Sequence, residues 1–276
     1  MRYKFFPSLL LWSLILGANL AFGQDQKLTG EQIVAKHLEA VGGRAALAKL
    51  KTRIAIGTIK KESEPEAQMA VLSESPNRLS FFCGFRDYDL HMVFDGNKTL
   101  IRPVMPRNVS NMTDKYEEML ASGLMFNGIS LYNLIANSAP GELKLEAKGL
   151  KKVGGKQAYV IQLKNQKGTT MRLYFDAENF MWVRTDYGKA SVSAGLRDVG
   201  GNTRALNQAH DEGGSETTVD FYIETSDFRD VDGIKLPFKF IQVLTYPILL
   251  KSASATVVGV IREYRHNQTI DPKMFQ

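Results

Sequence analysis

Three times along this chain a Gly that follows Asp or Gly separates two runs of alternating apolar residues. The sites are Asp95-Gly96-Asn97-Lys98, Gly154-Gly155-Lys156 and Asp232-Gly233-Ile234-Lys235. Gly, and Asp or Asn to a lesser degree, tolerates the positive φ that two-residue hairpin turns require. The flanking runs alternate with period two, as half-buried antiparallel strands do. Leu79, Phe81, Cys83 and Phe85 share one face of such a run, with Arg78, Ser80 and Arg86 on the other. Tyr88, Leu90, Met92 and Phe94 line the next, opposite Asp87, Asp89, His91 and Asp95. Further runs begin at Ile54, Met69, Thr99, Leu143, Tyr159, Met171, Met181, Val219, Leu236 and Val257. The pattern predicts a mainly β, α+β chain in which about eleven strands form one large antiparallel sheet. A sheet of that size curls or splits rather than staying flat.

The first 23 residues read as a targeting segment. Arg2 and Lys4 give a basic start, Phe5 to Leu16 an apolar stretch too short for a comfortable span, and Ala21-Phe22-Gly23 a small-x-small cleavage site. Cleavage there leaves Gln24 first, and residues 24–276 read as one exported, soluble domain. The formal charge of +6 includes Arg2 and Lys4, which leaves +4 on the mature chain, too mild and dispersed for nucleic acid. Cys83 is the single cysteine, so no intrachain disulfide forms and the fold relies on its core. Alternating with Phe81 and Phe85, it reads as a buried apolar side chain.

Helices are few. Thr29 with Gln32 three residues later forms a capping box ahead of the Val34, Leu38, Val41 stripe, and Gly42-Gly43 ends that helix. His37 within it has no second ligand at metal spacing and reads as a surface or capping residue. Residues 44–50 read as another short helical turn. Between Met105 and Ala136 the period changes: Tyr116, Met119, Leu120 and Leu124 have helical spacing, as do Leu131, Leu134 and Ile135. Met105, Met112, Met119 and Met125 all fall there, and methionine suits surfaces that repack around variable apolar shapes. Ordinary helix-on-sheet packing gives the same pattern. Two loops stand out: the polar, Gly-rich stretch 188–215, read as disordered, and Tyr246-Pro247-Ile248-Leu249-Leu250, an apolar run read as an exposed tip for a partner or membrane, or as a buried crossover.

No nucleophile elbow, zinc-binding helix or phosphate-cradling loop is present, and no cofactor motif. Asp87, Asp89 and His91 share a strand face and could seed a metal or acid–base site, but a solvent-facing strand produces the same row. His210-Asp211 lies in the Gly-rich loop, away from any scaffold. What exceeds the covering elements is apolar strand surface, and a curved sheet encloses a space to be filled by side chains, helices or a ligand. A long acyl chain matches it: at ~0.8 kcal/mol per methylene, a sixteen-carbon chain contributes about 12 kcal/mol gross.

Several segments carry a family resemblance. Pro76-Asn77-Arg78-Leu79-Ser80-Phe81, Phe94-Asp95-Gly96-Asn97-Lys98-Thr99-Leu100, Leu131 to Ala136 and Ile270-Asp271-Pro272-Lys273-Met274-Phe275 resemble the periplasmic lipoprotein-carrier superfamily, which includes the outer-membrane lipoprotein-sorting proteins. Gly154-Gly155-Lys156-Gln157-Ala158-Tyr159, Leu173-Tyr174-Phe175-Asp176 and the 230–237 segment are similar to its longer members. The resemblance implies an unclosed β-barrel with an apolar concave face, a helical lid and bound acyl chains, in which Leu79, Phe81 and Cys83 point into the cavity. One departure is Ser75, where the classical carrier has an arginine that helps control lid closure and lipoprotein release.

The expected function is a non-enzymatic periplasmic protein holding lipid-like or acyl-chain ligands, with no cofactor and no metal. The expected lining is Leu79, Phe81, Cys83, Phe85, Met92, Met119, Leu124, Leu134, Phe175, Phe221 and Phe238. The alternatives are an envelope interaction or stress-sensing module on the same sheet, and a hydrolase using Asp87, Asp89 or His91. Expected partners are the acyl chains of lipoproteins and a possible envelope protein, with peripheral membrane contact and no nucleic acid.

Overall fold

The computed structural model describes residues 27–61, 65–84, 89–103, 128–138, 141–164, 170–192, 217–248 and 251–276. Among these residues twelve strands form one antiparallel sheet: β1 (Thr52–Lys61), β2 (Ala67–Glu74), β3 (Arg78–Gly84), β4 (Asp89–Phe94), β5 (Thr99–Pro103), β6 (Lys144–Val153), β7 (Lys156–Lys164), β8 (Thr170–Asp176), β9 (Trp182–Val192), β10 (Thr217–Val231), β11 (Ile234–Ile248) and β12 (Lys251–His266). Their spatial order is β5-β4-β3-β2-β1-β12-β11-β10-β9-β8-β7-β6. The sheet is therefore two meanders, one running down from β5 to β1 and one from β12 to β6, stitched together where β1 pairs with β12. Strands β5 and β6 are its two edges, and among the described residues nothing joins them, so the sheet stays open.

The three Gly-centred turns all form hairpins. Gly154 and Gly155 both take positive φ, as do Asp232 and Gly233, while Val153 pairs with Lys156 and Val231 with Ile234; this is the geometry whose twist matches that of the flanking strands. At the β4–β5 turn the Asp95 carboxylate accepts the backbone N–H groups of Asn97 and Lys98, both at 2.7 Å, and Gly96 takes φ +102°. Those two hydrogen bonds hold the Asp95 carboxyl below its ordinary value.

The same face of the sheet carries the main core. Ala55 and Ile59 of β1, Met69 and Val71 of β2, Leu79 and Phe81 of β3, Met92 of β4, Leu163 of β7, Leu173 of β8, Phe221 of β10 and Phe240 of β11 belong to one buried cluster that also takes in the helices. One cluster drawn from both wings places the apolar side on the concave face. Helix α1 (Gly30–Ala40) and the single-turn helix α2 (Arg44–Lys49) lie over it. The capping box at α1 is complete: Thr29 Oγ1 accepts the Gln32 N–H and the Gln32 side chain accepts the Thr29 N–H. Helix α3 (Gly128–Asn137), GISLYNLIAN, carries no charged residue; its Leu131 is fully buried, with Tyr132, Leu134 and Ile135 partly buried against the core. On the convex side Leu72, Val93 and Phe275 form a small second cluster under a 3-10 turn (Pro272–Phe275), with Arg78 over the Phe275 ring at 4.6 Å.

Several expectations shift. On β1 the sequence favours Ile54 and Ile56 as the inward face, yet Arg53 and Ala55 are buried and the two isoleucines are half-exposed. Strand β1 runs unbroken against β2, with Ala55 opposite Val71 and Gly57 opposite Met69, so its odd-numbered residues take the core face. The bulge opposite Ile56 and Gly57 lies in β12, where Arg262 is the extra residue. A Cβ on Gly57 would sit 2.1 Å from the Val260 carbonyl oxygen, so the bulge needs a glycine. The expected loop at 188–215 begins later, because β9 continues through Val192 paired with Thr217; residues 193–216, including His210-Asp211, lie outside the described residues. The Tyr246 to Leu250 tip is not a loop throughout: Tyr246, Pro247 and Ile248 are in β11, paired with Ala253, Ser252 and Lys251. Residues 249–250 are outside the described set. Pairing with β12 overrides the turn preference of Pro247.

Among the described residues no helix is long and apolar enough to cross a membrane. Residues 1–26 are outside the description.

Candidate functional site

The concave face is built by alternation. Leu79, Phe81 and Cys83 of β3 face the same way as Met92 and Phe94 of β4, because Phe81 pairs with Met92 and Leu79 with Phe94. Across the seam, Phe221 of β10 and Phe238 of β11 continue that surface, and Phe175 of β8 closes the far wing. Seven of the expected lining residues, Leu79, Phe81, Cys83, Met92, Phe175, Phe221 and Phe238, thus belong to one cluster, with Leu134 packed on it from α3. Phe85, Met119 and Leu124 fall outside the described residues. The gathered residues are nearly dry: Cys83 and Phe175 are 0 % exposed, and the others of the seven no more than 8 %. The described part of the interior is therefore packed with the chain's own side chains.

His37 sits inside this packing, which corrects its surface assignment: it is 1 % exposed. Residues 33, 34, 37, 38 and 41 make one helical stripe, wider than the three apolar positions suggested, and α1 lies flat along it. The His37 Nδ1–H donates to the Phe180 carbonyl at 2.9 Å, and the ring lies 5.0 Å from Phe175 and edge-on to Trp182 at 6.3 Å. Its Nε2 is buried without a partner. Burial pushes its pKa down to about 4, against a smaller opposing effect of the Phe180 carbonyl. His37 is a neutral structural imidazole.

A second polar group on the concave face was not read from the sequence. Arg53 is 2 % exposed and packs beside Tyr264, its guanidinium 5.7 Å from the ring. Only Nη2 finds an acceptor, the Ser73 hydroxyl at 3.4 Å; Nε and Nη1 are buried and unpartnered. Burial lowers its pKa to about 10. Directly across the seam, Arg53 pairs with His266, whose side chain is 4 % exposed. His266 Nδ1 bonds Asp232 Oδ2 at 2.9 Å and its Nε2 is also buried and unpartnered. Burial lowers the His266 pKa, and Arg53 contributes in the same direction. The signal for Arg53 was its parity with Ala55, masked by the more apolar Ile54 and Ile56.

Of the Asp87, Asp89, His91 row, His91 makes a cross-strand hydrogen bond. His91 Nε2 is 2.8 Å from Ser80 Oγ, on the convex side of β3 and β4, and Ser80 is 0 % exposed. A hydroxyl shut off from solvent cannot meet a substrate, so the pair acts as an internal cross-strand bond. Asp87 lies outside the described residues. No group of three or more His, Cys, Asp or Glu side chains within metal-binding reach occurs among the described residues.

No protein-family model and no curated relative matches the sequence. Solved structures do. One is a domain named for outer membrane lipoprotein sorting from Vibrio parahaemolyticus, 9 % identical, with 89 % of this chain and 97 % of that one covered at a TM-score of 0.49. A DUF1329 family protein from Desulfovibrio piger is 10 % identical, covering 89 % and 96 % at 0.48. A LolA superfamily protein from Nitrosomonas europaea is 12 % identical, covering 90 % and 98 % at 0.43. The chemistry of the site is read from this chain's own residues.

Proposed function

We propose that residues 24–276 form one exported, non-enzymatic domain that works in the periplasm as a carrier or sensor of lipid-like, acyl-chain ligands. The observation that carries the proposal is an open sheet whose concave face is mostly apolar and carries an uncharged helix packed on it. Leu79, Phe81, Cys83, Met92, Phe175, Phe221 and Phe238 are gathered there from both wings. Helix α3 is the lid in this reading. It is pegged by Leu131 but leaves Tyr132, Leu134 and Ile135 only partly buried, so lifting it exchanges side-chain contacts for methylene contacts at modest cost. Phe85, Met119 and Leu124, outside the described residues, are counted in the proposed lining from the sequence alone. An acyl chain enters between the unpaired edges β5 and β6.

The proposal is tested by native mass spectrometry of protein purified gently from the membrane-containing extract of its host. The expected result is a reproducible added mass matching acyl lipid, released when the protein is unfolded. A protein that is reproducibly ligand-free, and that takes up no fluorescent fatty-acid probe, refutes it.

A further inference from the structure

The outer wing of the sheet carries a charge that the rest of the chain does not. The β6–β7 hairpin, residues 144–164, holds Lys144, Lys148, Lys151, Lys152, Lys156 and Lys164 against the single acid Glu146, a net +5. Residues 24–276 as a whole carry +4, so everything outside the hairpin is close to neutral. All six lysines are exposed. Lys148 pairs with Glu146, and among the described residues no acid pairs with the other five.

The same strand also turns an apolar side chain to solvent. Leu150 is 52 % exposed, the highest value among the large apolar residues described. It lies between Lys148 and the Lys151-Lys152 pair, and by alternation it shares a face with Lys152. β6 is an edge of the sheet, and a bulge interrupts it. Ala147 pairs with Ile161 and Leu150 with Tyr159, so Lys148 and Gly149 together oppose Val160, and Gly149 takes φ +87°.

These features narrow the partner. Lysines and a bulge on an edge strand discourage the addition of another strand, which disfavours an extended peptide. A second copy is further opposed by repulsion between two such hairpins. Guarding an edge needs no exposed leucine, and it does not explain why the domain's net charge is gathered here. A platform for stacking bases is missing too: β6 has no aromatic residue, and Tyr159 of β7 is stacked on Phe180. Lysines around one projecting aliphatic side chain fit a phospholipid surface. The ammonium groups meet head-group phosphates while the leucine enters the boundary beneath them.

We propose that the β6–β7 hairpin docks the protein on an anionic phospholipid surface, with Lys148, Lys151, Lys152 and Lys156 in electrostatic contact and Leu150 inserted at head-group level. The dock uses the outside of the wing and needs no ligand within the sheet, so it stands apart from the carrier reading.

Purified protein is mixed with vesicles of phosphatidylglycerol and phosphatidylethanolamine, or of phosphatidylcholine alone, and the bound fraction is read by flotation. The acidic vesicles are expected to bind it at low salt and to release it as salt rises, because exposed charges are then screened. Neutral vesicles are expected to bind it far less. Lys151→Gln/Lys152→Gln should weaken binding roughly thirtyfold, about fivefold per lysine. Lys49→Gln/Lys51→Gln, the same loss of charge elsewhere on the surface, should leave it within about twofold. Leu150→Ser should weaken binding severalfold without altering its dependence on salt. All five substituted positions are exposed, where such changes rarely disturb folding. Hydrogen exchange of the parent on acidic vesicles locates the contact without any substitution: amides of residues 144–153 should slow, and those of the opposite edge β5 should not. Equal binding to both vesicle types, equal losses in the two double variants, or unchanged exchange in β6 overturns the dock. Polyglutamate or single-stranded DNA bound as tightly as the acidic vesicles, with Leu150→Ser without effect, also overturns it, in favour of an acidic protein or a nucleic acid. None of these outcomes bears on acyl-chain uptake, which the mass measurement above reads separately.

Discussion

Lowering the pH should destabilise this protein through one residue, His37. Its folded pKa is about 4 against an ordinary value of 6.5, so the unfolded chain binds the proton first. A base whose pKa falls on folding contributes stability that is complete above the unfolded pKa and is lost as pH drops toward the folded one. At pH 5 the unfolded imidazole is almost fully protonated, and His37 in the fold is about one-tenth protonated. The resulting loss between pH 8 and pH 5 is about 2 kcal/mol, rising to about 3 kcal/mol below pH 4. The comparison variant is His37→Asn, which keeps a donor near the Phe180 carbonyl and cannot titrate. Urea denaturation of both proteins at pH 8 and pH 5 gives the difference directly. His266 and the carboxylates titrate in both proteins and cancel. The parent should lose about 2 kcal/mol more than the variant. Parallel losses would show that the imidazole is not held neutral in the fold, and the account of α1 as a flat-lying, aromatic-boxed helix would fail with it.

Other outcomes follow from the same packing. Phe175→Ala, at a site 0 % exposed, should cost about 3–5 kcal/mol in chemical denaturation; a loss below one would mean that the far wing is not packed as described. Gly259→Ala would set a Cβ 2.0 Å from the Phe240 ring and should cost about 1–3 kcal/mol. Adding Phe240→Leu should return part of that loss, so additive effects in the double variant would argue against the contact. Asp95→Ala should speed hydrogen exchange at the Asn97 and Lys98 amides without changing exchange at the Gly154-Gly155 hairpin. N-terminal sequencing of the exported protein should begin at Gln24, and an intact Met1 would refute the targeting-segment reading.

Much of the fold was legible because its signals are local. Asp232-Gly233 and Gly154-Gly155 can take positive φ cheaply, and Leu79, Phe81 and Cys83 alternate cleanly, so turn and face followed from neighbouring residues. What escaped depended on distant ones. The bulge in β12 opposite Ile56 and Gly57 reverses that strand's parity, and only through it do Tyr264 and His266 come to the same face as Arg53, some two hundred residues away. The burial of His37 required knowing that Phe175, Phe180 and Trp182 gather beneath α1. The 246–248 segment looked like a loop because Pro247 and its apolar neighbours carry no strand signature strong enough to show pairing with Ser252. The candidate lining was readable as apolar strand faces, but not as a filled interior: alternation tells which way a side chain points, not whether another side chain already occupies the space.

The join between β1 and β12 also sets an order of assembly. Each meander can zip from hairpin to hairpin as it emerges, through contacts only a few residues apart. The seam cannot: Arg53 waits for His266, across a loop of roughly two hundred residues whose closure comes late and slowly. Until then β1 is an open edge in the middle of the future sheet, able to pair with the wrong strand or with another chain. For the exported domain proposed above that delay is an advantage, since the chain stays threadable until its last strand arrives. The same delay means that Arg53 and His266 come to face each other only when the sheet is whole.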